Sequence, residues 1–141
     1  MAVDEKAGYS MILVALAAVV AIPFDAPTRA ALPPAAAVLV AHGVPHPCSG
    51  VWLRDLAAAA GVPSGDAVKG PALAMTVAAD GYRVVFSLGE LDAALGKAAI
   101  LVADTCDGKQ LADGDGSVRL VAAGEARGAR SVKQLVRLTA E

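Results

Sequence analysis

Aromatic side chains are nearly absent. Two Phe, two Tyr and one Trp make up 4% of the 141 residues. A core built from this chain cannot rest on rings, and few side chains are available to stack on a flat heterocycle. Charge is also sparse: charged residues are 18% of the chain and the net charge is −2, against about 25% charged in an average globular protein. No whole-molecule positive field exists to draw in nucleic acid. A hydrophobic share of 56% with so small a net charge excludes intrinsic disorder, which needs the reverse. Only two cysteines occur, Cys48 and Cys106, without a CxxC spacing or a histidine at zinc-finger spacing. Hydrolase signatures are missing as well: there is no GxSxG elbow, no HExxH and no convincing Ser-His-Asp set.

What is present in abundance is small and aliphatic: 33 Ala, 18 Val and 15 Leu. The length suits one domain with an alanine-lined core. Part of the apolar content is concentrated between Met11 and Phe24, a run of 14 residues without charge. That is short of the roughly 20 residues of a membrane span and within the roughly 7–15 of a secretory signal core. Thr28-Arg29-Ala30 then supplies small residues for a signal peptidase, with cleavage expected after Ala30 or Ala31. The head is atypical, since Asp4 and Glu5 offset Lys6. The alternative is a buried or interfacial segment that stays attached. The expected division is an export signal or hydrophobic N-terminal segment over residues 1–31 and one domain over 32–141. The protein is then periplasmic or extracellular, with no stable membrane span after signal removal.

In an exported small domain an even cysteine count suggests a disulfide between Cys48 and Cys106. Two buried free thiols, or a metal-held or reactive thiol near His42 and His46, are the alternatives. Asp104, Asp107, Asp113 and Asp115 could suggest a cation site, but their spacing is not that of an EF-hand, and turn chemistry accounts for them.

The apolar patterning predicts a strand over Ala35–Ala41 and a turn bracketed by Pro45 and Pro47. A helix opening at Ser49-Gly50 and running to Ala60 follows, with Leu53, Leu56, Ala57 and Ala60 on one buried face. Leu73–Ala79 and Tyr82–Phe86 read as a hairpin about Asp80-Gly81. Ser87-Leu88-Gly89-Glu90 is a capping box opening a short helix through Leu95 that stops at Gly96. Strands are expected over Ile100–Ala103, Val118–Ala122 and Val132–Leu138, with turns at Asp107-Gly108 and over Asp113–Gly116. Short helices set between strands and hairpins predict an α+β fold with a mixed, largely antiparallel sheet.

Four segments in order resemble the molybdopterin-binding domain of the sulfite oxidase family, and more narrowly small exported proteins that carry a reduced form of it. They are Cys48-Ser49-Gly50-Val51-Trp52-Leu53-Arg54-Asp55-Leu56, Asp80 through Leu91, Val102 through Lys109 leading to Leu120, and Gly128-Ala129-Arg130-Ser131-Val132-Lys133. The resemblance implies the sulfite-oxidase-like molybdopterin-binding fold. It implies a cofactor-binding role for His42, Arg130, Ser131 and Lys133, with phosphate contact by Arg130 or Lys133 on a Gly-rich turn. From Arg119 onward five basic residues face two glutamates. The resemblance also implies that Cys48 and Cys106 are structural. The family's oxidoreductases hold molybdenum through a cysteine thiolate near the end of the first matched strand. This chain has Val38-Leu39-Val40-Ala41-His42-Gly43 there. The expectation is therefore a binding or accessory module with no catalytic or metal-ligating residue and no resident cofactor, whose partner is a pterin or a protein. The alternative is a small molybdopterin-dependent oxidoreductase.

Overall fold

The computed structural model describes residues 19–68, 74–79, 81–111, 117–125 and 127–141. Met11–Ala18 of the apolar run, Asp80 and the Asp113–Gly116 turn lie outside the described residues. The fold is α+β, with two antiparallel sheets and few, short helices. In chain order the elements are β1 (Val20–Ala21), α1 (Ala26–Ala30), β2 (Ala35–Ala41), β3 (Val44–Trp52) and α2 (Leu53–Ala59). After a 3₁₀ turn over Gly65–Val68 come β4 (Ala74–Ala79), β5 (Tyr82–Ser87), α3 (Leu88–Leu91), β6 (Ile100–Cys106), β7 (Lys109–Gln110) and β8 (Arg119–Ala122). A second 3₁₀ turn over Gly128–Arg130 leads to β9 (Arg137–Ala140).

One sheet has the order β1-β9-β4-β5. The other runs β2-β3-β6, and the far edge of β6 is shared by β7 and β8. Every pairing among the described residues is antiparallel, so the mixed character expected of the sheet is not found there. Short links require this only of β2-β3, β4-β5 and β6-β7; β3-β6, β6-β8, β4-β9 and β1-β9 join strands that are not consecutive in the chain. The main core lies between the sheets and takes Ile22, Val77, Phe86 and Leu138 from one, and Val51, Val102 and Leu120 from the other. Leu53 and Leu56 of α2 fill its flank, and the residues of the predicted helical face are buried or packed against this core. β6 is buried on both faces: Ile100 and Val102 enter the main core, while Leu101 and Ala103 join Leu39, Cys48 and Val121 in a smaller cluster. That double burial is why Ile-Leu-Val-Ala shows no polar alternation.

Several boundaries differ from expectation. Pro45 and Pro47 lie inside β3 and bracket no turn. The reversal is made one step earlier by His42-Gly43, which closes Ala41 onto Val44. Both turn residues have positive φ, 52° and 77°, as a two-residue type I′ turn requires. Counting from that closing pair, Pro45 and Pro47 fall at non-hydrogen-bonded positions toward β2, where a missing N–H costs nothing. Ser49-Gly50 likewise stays in β3, at a register shift against β6. A Cβ at Gly50 would stand 1.9 Å from the Val102 carbonyl oxygen, so glycine here serves a close backbone approach, not a helix start.

α3 carries both capping-box bonds, Glu90 N–H to Ser87 Oγ at 3.0 Å and Ser87 N–H to Glu90 Oε2 at 2.9 Å. It stops at Leu91 and does not reach Leu95, because Asp92 diverts the backbone. Its carboxylate accepts from Gly65 N–H at 2.6 Å and Ala94 N–H at 2.8 Å, which holds its pKa below the usual value. The last strand is also shorter than expected. Residues 132–136 are irregular, with Gln134 at φ 51°, while the chain crosses from β8 of one sheet to β4 of the other. Before that crossing, Leu120 N–H donates to Val132 O and Leu135 N–H to Val118 O.

Residues 19–31 pack as part of the domain. β1 pairs with β9, and Ile22 is 3% exposed in the main core. Among the described residues no helix is long and apolar enough to cross a membrane.

Candidate functional site

Two type I′ turns stand side by side at one end of the β2-β3-β6 sheet. One is His42-Gly43. The other is Asp107-Gly108, with φ of 55° and 76°, which closes Cys106 onto Lys109. Both use residue types that tolerate the left-handed region: histidine and aspartate are enriched there among non-glycines. Three contacts lock the hairpins together. Cys48 and Cys106 form the expected disulfide. Asp107 N–H donates to Pro47 O at 2.8 Å. His46 Nδ1 lies 2.7 Å from Asp107 Oδ2.

Beside these turns the 127–133 segment is fastened to β8. The Arg119 guanidinium, 7% exposed, donates to Ser131 O at 3.0 Å and Leu120 O at 3.4 Å. Ser131 Oγ accepts from Ala122 N–H at 2.9 Å. A buried guanidinium is tolerable only where its donors find partners, and these two carbonyls take two of its N–H groups. The result is a cleft of about 860 Å³ between the hairpin tips and this segment. Its lining includes His42, His46, Asp107, Arg119, Arg127 and Lys133. Among the described lining residues, Arg119, Arg127 and Lys133 bring positive charge and Asp107 a carboxylate, which His46 engages. Such a surface attracts an anion with several acceptor oxygens, for which guanidinium and ammonium groups supply charge-assisted hydrogen bonds.

Three of the four residues singled out from the sequence meet here. His42, Ser131 and Lys133 all line the cleft. Arg130 does not. Its guanidinium donates to Val85 O at 2.9 Å, pairs with Glu90 at 2.9 Å and with Glu125, and lies 4.4 Å from the centre of the Phe86 ring. Glu125 and then Glu90 hold its proton more tightly than in a free arginine. Partial burial pushes the Glu90 carboxyl up, but the hydrogen bonds from Arg130 and the Ser87 N–H outweigh it, so the net shift is downward. Arg130 thus fastens the 3₁₀ turn to β5 and α3, and its neighbours turn into the cleft. Sequence reasoning missed Arg119, Arg127 and the His46–Asp107 pair as site residues. The basic C-terminal stretch was the signal for the two arginines. For the pair there was none, since 61 residues separate its members.

The thiolate chemistry of a molybdenum centre does not fit these residues, because both sulfurs are consumed in the Cys48–Cys106 bridge. Among the described residues no three His, Cys, Asp or Glu side chains are grouped to share a metal ion. The phosphate-bearing part of a pterin cofactor does fit the charge of the cleft. No protein-family model matches the chain, and no curated protein matches it.

Proposed function

We propose that this chain is an exported, non-catalytic binding or accessory module related to the sulfite oxidase type of molybdopterin-binding domain. Its cleft takes a phosphate-bearing anion of the pterin cofactor class. The observation that carries this reading is the convergence of His42, Ser131 and Lys133 with Arg119 and Arg127 in one cleft, beside a bridge that leaves no thiolate for a metal. Arg127 and Lys133 hold the phosphate oxygens. Arg119, at the root of the segment, adds positive potential and fixes the Ser131 backbone. His42, at the hairpin tip, closes the opposite wall. No bond of the ligand is made or broken in this reading. An oxidoreductase of the same type would need a soft sulfur ligand that the oxidised chain does not offer.

The test is calorimetric titration with a pterin phosphate monoester and, as a minimal probe, inorganic pyrophosphate. Lys133→Glu and Arg127→Glu should each lose a charge-assisted contact of about 1.5–3 kcal/mol, roughly ten- to a hundredfold in Kd. Affinity should fall with added salt. Unchanged affinity in both variants would overturn the assignment of the cleft.

A further inference from the structure

Among the described residues β2 pairs with β3 alone, so one side of the strand is an open edge. We propose that this edge takes an extended segment of a partner protein as an added antiparallel strand, with alternate acidic side chains turned toward the basic cleft. The proposal rests on the reading of the protein as a binding module and supplies the chemistry of a protein partner.

The register fixes which backbone groups are open. Ala41↔Val44 closes the two-residue turn and is a hydrogen-bonded pair. Alternation makes Leu39↔His46, Ala37↔Cys48 and Ala35↔Gly50 the other hydrogen-bonded pairs. The N–H and C=O groups of Ala36, Val38 and Val40 therefore point away from β3. Val38 is 47% and Val40 61% exposed, and Ala36 is exposed too. Among the described residues none of the three has a backbone partner on that side. Natural edges are blunted by lysine, proline or a bulge. β2 reads Ala-Ala-Ala-Val-Leu-Val-Ala, and its register against β3 is unbroken. The edge strand β5 of the other sheet, by contrast, carries Arg83.

Charge selects the occupant. Leu39 and Val121 meet in the smaller cluster, and Arg119, two residues before Val121 on β8, lies on the same face. The cleft runs beside Leu39–Gly43, and among its described lining residues Arg119, Arg127 and Lys133 bring positive charge. Side chains of an added strand opposite Leu39 and Ala41 share their face. Carboxylates there meet those cations. Side chains opposite Ala36, Val38 and Val40 lie on the outer face, where Pro45 and Pro47 are exposed. The fitting segment therefore alternates acidic and apolar residues. Main-chain bonds along the edge supply affinity and the alternation supplies specificity. A second copy of β2 brings no carboxylate to the cleft, so the charge favours a partner protein over self-pairing.

The test titrates the intact protein with a fluorescent hexapeptide that alternates valine and glutamate, against one that alternates valine and lysine. The acidic peptide should bind saturably and roughly tenfold or more tighter than the basic one. Val38→Pro removes an edge donor without touching the β3 ladder, in a hairpin that already holds Pro45 and Pro47 at non-hydrogen-bonded positions. It should weaken the acidic peptide roughly tenfold or more and leave pyrophosphate affinity unchanged. A second arm leaves the protein unaltered. In antiparallel pairing the valines opposite Ala36, Val38 and Val40 turn their amides to β2. Methylating the valine nitrogens should abolish binding, and methylating the glutamate nitrogens should not. Equal binding by both methylated peptides, or by the acidic and basic peptides, overturns the proposal. A dimer seen by sedimentation without peptide, and abolished by Val38→Pro, overturns it in favour of self-pairing. Absent pyrophosphate binding, with the methylated peptides still told apart, removes the phosphate reading and leaves the added strand standing.

Discussion

Replacing Cys48 and Cys106 together by alanine should cost this domain about 4 kcal/mol. The bridge joins positions 58 residues apart, and the chain-entropy treatment gives about 14 cal/mol/K for a loop of that size, hence about 4 kcal/mol at room temperature. Whole domains of this kind are stable by only about 5–15 kcal/mol. Little else compensates here, because the cluster around Cys48 is Leu39, Leu101, Ala103 and Val121 without a ring among its fully buried members. Urea unfolding monitored through Trp52 should show the midpoint falling in the double variant, and a melting temperature lower by roughly 10–20 °C. Reductant should shift the wild type by a similar amount and leave the variant unmoved. A difference below about 1 kcal/mol would refute the view that this light core relies on its bridge.

Gly50→Ala should be among the most damaging single changes, at about 3–5 kcal/mol, since the new methyl meets the backbone of the central strand and not a movable side chain; a normal urea midpoint would contradict this. Arg130→Ala should destabilise by about 1–2 kcal/mol, discounted because its carboxylate partners are about one-third exposed. Because Arg130 only fastens the segment that lines the cleft, pyrophosphate affinity should fall less in this variant than in Lys133→Glu, and an equal loss together with unchanged stability would place Arg130 back in the cleft. The Glu90 carboxyl titrates below its ordinary value of 4.5, so its stabilising effect is present above about pH 4.5 and is lost as pH falls through the lower folded value. Glu90→Gln should therefore flatten the acid limb of a stability-versus-pH curve below about pH 4.5, and an unchanged limb would refute the pairing with Arg130.

Local signals in the sequence located most elements, and where they misled, a tertiary constraint took precedence. The capping box at Ser87 and Glu90 and the Asp107-Gly108 turn are short-range chemistry, and both form as read. Ser49-Gly50 imitates a helix start, yet the backbone of β6 passes so close that only glycine fits, a fact held by Val102 over 50 residues away. Pro45 and Pro47 look like turn residues, but their spacing of two places both at positions that need no donor toward β2. The same contrast holds at the site. Lys133 and Ser131 were singled out by the family resemblance of the Gly128–Lys133 segment, with the basic residues around it in support. The structural role of Arg130 was not, because it depends on Glu90 and Val85, which the fold brings up from the β5–α3 corner. Ile22 lay inside an apolar run that reads as expendable, and only β9 shows that it is core.

The central claim is that the cleft is a binding surface whose sulfur chemistry is closed. Its most direct test is molybdenum and pterin analysis of the oxidised protein, purified from a host that makes the molybdenum cofactor. The account predicts molybdenum far below one atom per chain, together with saturable pterin phosphate or pyrophosphate binding that Lys133→Glu weakens at least tenfold. Close to one molybdenum per chain, retained with the Cys48–Cys106 bridge intact, would contradict it.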